Sequence, residues 1–175
     1  RACAALGDEG HAGLGDALEE AGDAAGALEA WRAAEAAATE KLPWTLRVER
    51  GLEAVGDWQG LLTSLRARMG QTRGEAAERL AARVRWVLAE KLSETDEAWA
   101  TYQELYASRP DDAEVLEALT RIAAARGDQA AAGGYLEALA KQASSPADAA
   151  RVQRRRAEVL ERGGDADGAR AALTR

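Results

Sequence analysis

The chain has no phenylalanine, three prolines, one methionine, one histidine and one cysteine in 175 residues. A single cysteine, Cys3, excludes an internal disulfide. A single histidine, His11, excludes a zinc site with two imidazole ligands, and Cys3 does not complete one. No apolar run approaches the length of a membrane-spanning helix, and no secretory signal pattern opens the sequence. Excess positive charge is missing too. The net charge is −7 and the isoelectric point about 4.9, which argues against general phosphate or nucleic-acid binding. No Gly-Lys-Ser/Thr phosphate loop appears. Ser64, Ser93, Ser108, Ser144 and Ser145 read as helix-surface or turn residues, and none stands in a strand-to-helix elbow. Many carboxylates are present, but nothing singles out a pair for acid–base work. The expectation is a chain that is not an enzyme and carries no cofactor and no metal.

What is abundant is Ala and Leu. Apolar residues make up 47% and charged residues 30% of the chain. Small helix-forming side chains favour closely packed helices over sheets. Of the 23 basic residues only Lys41, Lys91 and Lys141 are lysine. Together with the alanine content, this bias points to a GC-rich bacterial genome. A soluble protein of the bacterial cytoplasm or periplasm is expected. The chain starts at Arg1 without Met and reads as a piece of something longer.

The repeat shows first in the turns. Gly ends a helix and Asp caps the next, and Gly-Asp pairs stand at 22–23, 56–57, 127–128 and 164–165. Ser93-Glu94 is the nearest equivalent between them. The spacings of the acidic positions are then 34, 37, 34 and 37 in chain order, so the pattern recurs with every second hairpin. The extra three positions fall near Gln71-Thr72-Arg73-Gly74 and Ser144-Ser145-Pro146, which read as loops. Arg50 and Arg121, Arg83 and Arg154, Glu90 and Glu161, and Ala98 and Ala169 match at that two-hairpin offset. Helical periodicity places first helices over 9–21, 43–55, 75–92, 112–126 and 147–162. Second helices fall over 24–39, 57–70, 95–108, 129–143 and 166–174. Residues 1–6 read as the tail of a preceding helix, and Ala172-Leu173-Thr174-Arg175 lacks a polar capping helix, so both ends are expected to expose stacking surface.

The segments carry His11-x2-Leu14-Gly15-x2-Leu18, then Ala27-x3-Trp31, Ala98-x3-Tyr102 with Pro110, Ala132-x3-Leu136 and Ala169-x3-Leu173. A small residue lets two helices approach, and a large one four positions on fills the gap beside them. This resembles the tetratricopeptide repeat, a unit of about 34 residues with W-x2-L-G-x2-Y, A-x3-F and a later Pro. The resemblance covers nearly the whole chain. It departs from the pattern at Leu61 and Leu65, and Pro43 and Pro146 come late. It implies an all-α fold: a right-handed α-solenoid of about five antiparallel hairpins, over 9–39, 43–70, 75–108, 112–143 and 147–174, in a single domain spanning 1–175. It places His11 at a packing position. Trp31 fills a core slot, Trp44 and Trp99 cover helix junctions, and Trp58 is partly exposed. Trp86 replaces a small residue between helices in one register and faces the groove in the other; the core placement is the expected one.

In this family first helices line the concave face. Carried over, its groove positions fall on Glu9, Asp16 and Glu19, then Arg50 and Glu53, then Arg83 and Glu90. They continue on Glu117 and Arg121, and on Arg151, Arg154, Glu158 and Glu161. The groove would run from acidic through mixed to basic, with Arg154-Arg155-Arg156 its most basic spot. The candidate partner-binding residues are Asp16, Glu19, Arg50, Glu53, Trp86, Arg121, Arg151 and Arg154. The resemblance implies a scaffold for a protein or peptide partner, without nucleic acid or membrane insertion. A structural spacer or a module self-associating end to end is the alternative, and a salt-bridged solvent face with no partner is the plain reading of the charges.

Overall fold

The computed structural model describes residues 7–174. Among them there are ten helices and no strand. In chain order they are α1 (Asp8–Glu20), α2 (Ala24–Ala37), α3 (Leu42–Val55), α4 (Trp58–Gln71) and α5 (Glu75–Glu90). There follow α6 (Asp96–Ser108), α7 (Ala113–Ala125), α8 (Gln129–Lys141), α9 (Pro146–Arg162) and α10 (Ala166–Leu173). Each boundary lies within about two residues of the one read from periodicity, the accuracy expected of helix ends. Residues 1–6, read as the tail of an earlier helix, lie outside the described residues. The chain divides into two compact units, Arg1–Val84 and Arg85–Arg175, and the division falls inside α5.

Four of the five hairpins share one turn. Gly22, Gly56, Gly127 and Gly164 take φ of 82°, 76°, 78° and 83°, the left-handed region that glycine enters at little cost. The next residue, always Asp, sends its amide back five residues: Asp23 to the Leu18 carbonyl, Asp57 to Leu52, Asp128 to Ala123 and Asp165 to Leu160, each at 2.9 Å. The glycine amide bonds the carbonyl three residues back, which completes a Schellman closure of the first helix. The aspartate side chain then accepts the amide of Gly26, Gly60, Ala131 or Gly168 and opens the second helix. The α5–α6 turn differs. There the cap is Thr95, whose hydroxyl accepts the Ala98 amide at 3.2 Å, not Ser93-Glu94 as the spacing suggested. Thr95 stands three residues before Ala98, the spacing that Asp23 keeps before Gly26. The caps at 23, 57, 95, 128 and 165 are therefore 34, 38, 33 and 37 residues apart.

The small-then-large pairs form the cores. In the first unit Ala27 and Trp31 are 0% and 1% exposed. The indole of Trp31 lies so close to the backbone of Gly15 that a Cβ there would stand 2.4 Å from Nε1. The indole N–H donates to Asp16 at 3.1 Å, which satisfies a buried polar group. In α4, Leu61 and Leu65 are both fully buried, so a leucine takes the place of the small residue. In the second unit Leu116, Ala123, Ala132, Leu136, Leu139 and Val159 form one cluster, with Trp99, Tyr106 and Tyr135 against it. The Tyr106 and Tyr135 rings meet edge to face at 5.6 Å. Tyr102 donates to the Arg85 carbonyl at 3.0 Å, and burial pushes its phenol above the usual range. His11 is buried, as a packing role requires.

Two expectations are corrected. Leu173, read as the large residue of the fifth pair, is 62% exposed, and Ala172 beside it is the buried one. Trp86, expected in the core, is 45% exposed. It stands two hairpins after Gly15, at the equivalent position, where the first hairpin brings two helices together, and an indole has no room in such a contact. The buried stripe of α5 runs through Leu80, Val84, Val87 and Leu88, so position 86 turns off it. The Lys91 ammonium lies over the Trp86 ring at 5.4 Å.

The Gly15 contact yields a paired prediction. Gly15→Ala forces the Trp31 indole aside and lowers stability by about 1–3 kcal/mol. Gly13→Ala, in the same helix with open space around its Cβ, raises it by about 0.5–1 kcal/mol. Urea denaturation of both variants checks this; equal effects would reject the packing assigned to Trp31.

Candidate functional site

The first helices of the hairpins carry charged side chains that meet across the gap between neighbouring hairpins. In the first unit Arg50 on α3 donates to Glu19 on α1 at 2.7 Å, and Arg83 on α5 pairs with Glu53 on α3. Arg47 on α3 reaches Asp16 on α1 at 3.3 Å. In the second unit Arg121 on α7 pairs with Glu90 on α5, and Arg155 on α9 donates to Glu117 on α7 at 2.7 Å. All of these side chains are about one-third to one-half exposed. The result is a rung between each first helix and the next within each unit. An exposed pair of this kind contributes about 0–1 kcal/mol and weakens with salt. Arg50 and Arg47 also lie over Trp31 and Trp44, each at 5.0 Å, which adds a cation–π contact.

One of these rungs repeats with the two-hairpin period. The pair Glu19–Arg50 recurs as Glu90–Arg121. The pair Glu53–Arg83 would recur as a carboxylate at 124 facing Arg154, but position 124 is alanine. Among the described residues Arg154 makes no ion pair; it is exposed on α9 beside a groove of about 240 Å³ lined with Ala150, Gln153, Ala172 and Leu173. Arg151, exposed on the same helix, pairs with Asp148 at 3.1 Å. The rest of the basic run is taken up by three partners. Arg155 goes to Glu117, while Arg156 donates to the Gly133 carbonyl and to Glu137 on α8.

The structure thus brings Glu19 to Arg50, and joins Glu53 and Arg121 to partners of opposite charge. Asp16 is held by both Trp31 and Arg47. The expected run from acidic to basic is locally neutralised, because carboxylates on one first helix meet arginines on the next. Trp86 belongs to none of these rungs.

One charged group is different in kind. Glu49 on α3 is 1% exposed, and it accepts from Ser64 at 2.9 Å and from Arg68 at 2.5 Å, both on α4. It locks the second hairpin from inside. Sequence reading missed it because Glu49 lies among surface charges in the chain; the signal was its place one residue after Val48 and three before Leu52, inside the buried stripe of α3.

Sequence reading also missed a groove of about 600 Å³ in the first unit, between α3, the end of α4 and the start of α5. Leu42 and Leu46 on its wall are 55% and 46% exposed. Their signal was visible: Leu46 stands two residues before Val48, off the stripe that buries Val48 and Leu52.

Among the described residues no three His, Cys, Asp or Glu side chains gather where they would hold a metal ion, and no helix is long and apolar enough to cross a membrane. Comparison with protein-family models and with curated proteins returns no match.

Burial separates the two kinds of ion pair. Glu49→Ala strands Arg68 and Ser64 in the hairpin and costs roughly 2–4 kcal/mol. Glu53→Ala and Glu90→Ala each cost less than about 1 kcal/mol. Denaturant titrations of the three variants measure this; a Glu49→Ala loss no larger than the others would contradict the buried lock.

Proposed function

We propose that the chain is a protein-interaction module, a right-handed α-solenoid of five hairpins of the tetratricopeptide type, that binds a protein or peptide on the face its first helices share. The observation that carries this reading is Arg154. On a face where rung after rung is neutralised, Arg154 is an exposed guanidinium whose partner position is occupied by alanine, and it borders an apolar groove. An unpaired arginine beside apolar surface is suited to a carboxylate or phosphate on a partner, because its planar fork bonds such groups in a bidentate way. The recurring turn and the recurring rung support the repeat reading, since in such arrays each unit contacts mainly its neighbours and the repeated helices present an extended surface. Arg151, one helical turn before Arg154, is 75% exposed and held by Asp148 on its own helix.

A second reading, self-association, is favoured by Leu173, which is exposed on the groove beside Arg154. Sedimentation velocity across a wide concentration range tests it, and a monomer throughout would remove it.

The binding reading is tested by a photoreactive amino acid at position 154, with a control at exposed Glu29 on α2. A discrete partner crosslinked from 154 and not from 29, and lost in an Arg151→Glu background, is the expected result. Crosslinks equal from both positions, or none from 154, would remove Arg154 as a contact.

A further inference from the structure

The geometry points to the groove between α3, α4 and α5 as a second docking surface, shaped for an acidic amphipathic helix of a partner protein. The inference names a partner chemistry for the binding role proposed above and rests on that role, but it uses different residues.

Leu42 and Leu46 are four apart on α3, so they lie on one face, and both are about half exposed. Across the groove stands Leu80 of α5, 8% exposed. These three leucines make an apolar floor. The rim is cationic: Arg68, Arg79 and Arg83 line the groove, and no Asp or Glu is among the described residues that line it. Three arginines thus face the groove, while the carboxylates that pair them, Glu49, Glu53 and Glu75, are not among the residues that line it. Arg68 and Arg83 are held by Glu49 and Glu53. Arg79 is held only by Glu75 on its own helix, at 2.6 Å, with side chains 74% and 82% exposed. It is the arginine most readily turned toward an incoming carboxylate.

The volume, about 600 Å³, is in the range of pockets that take a few anchoring side chains. An amphipathic helix that lays two apolar residues one turn apart into a groove uses this geometry. Carboxylates flanking the anchors would meet the arginine rim.

The groove is not a by-product of the repeat. At the matching linker two hairpins on, Leu46 and Leu80 correspond to Glu117 and Arg151. The pocket beside that linker, about 320 Å³, is lined by α8 and α9 alone, through Glu137, Lys141 and alanines with Pro146 and Gln153, and by neither Glu117 nor Arg151. The leucine floor and the arginine rim belong to the first unit.

The probe is a displayed library of random peptides long enough for about four helical turns. It is selected on the whole chain and counter-selected on the double variant Leu46→Glu/Arg79→Glu. Both changes are at exposed side chains, and circular dichroism checks that the variant folds. The expected outcome is enrichment of peptides with large apolar residues at i and i+3 or i+4 and a net negative charge. By fluorescence anisotropy such a peptide should bind the double variant at least tenfold more weakly, and lose affinity as salt rises. Enriched peptides that are basic, or that bind the variant equally well, overturn the groove assignment while leaving the binding role intact. No enrichment at all overturns both. Concentration-dependent dimerisation of the chain that the double variant abolishes would assign the groove to a second copy instead, and would also overturn it.

Discussion

A left-handed glycine followed by a capping aspartate is the constraint on which the rest of this structure depends. The glycine closes one helix by folding its last amides back, and the aspartate opens the next within one residue. A turn this short fixes where the second helix starts relative to the first. It thereby decides which residues of the two helices face each other. Trp31 reaches Gly15 because Gly22-Asp23 sets that register. Where the turn is replaced, at α5–α6, the cap moves to Thr95 and the packing position of the first hairpin is filled by an exposed tryptophan. The turn and the interior therefore change together.

Once the register is set, the charges follow from it. Carboxylates on one first helix meet arginines of the next, and one such pair, Glu19–Arg50, returns two hairpins on as Glu90–Arg121. These rungs are individually weak, because they are exposed and screened. Their consequence is less about stability than about what remains available. Paired charges are poor bait for a partner, so the features left for recognition are the places where the pattern breaks: alanine opposite Arg154, and leucines at the α3 and α5 positions where the later copy has Glu117 and Arg151. The buried pair Glu49–Arg68 belongs to neither class and serves to hold one hairpin together.

The helices were legible in the sequence because each turn is marked by residues whose chemistry is local. Gly at positive φ and Asp at a cap need no knowledge of distant contacts. The packing pairs were legible where small and large residues stood four apart, as in Ala27 and Trp31. Legibility failed where a long-range contact decides. Trp86 could be read in two registers, and only the absence of space at the Gly15-like position separates them. The charged face could be projected residue by residue, yet which arginine meets which carboxylate depends on side chains about 30 residues apart in the chain. Glu49 was hidden because burial of a carboxylate follows from its neighbours and not from its own type. The groove was hidden because Leu42 and Leu46 look like ordinary helix residues until the rest of α3 is seen to bury a different side.

Complementary charges, set in register by the turns, join successive first helices within each unit. The most direct measurement is a charge swap at Glu90 and Arg121. The single reversals Glu90→Arg and Arg121→Glu should each lower the denaturation midpoint at low salt. The double swap should restore it, and the differences should shrink as salt screens the pair. A double swap no more stable than the sum of the two single losses, at any salt, would contradict the account.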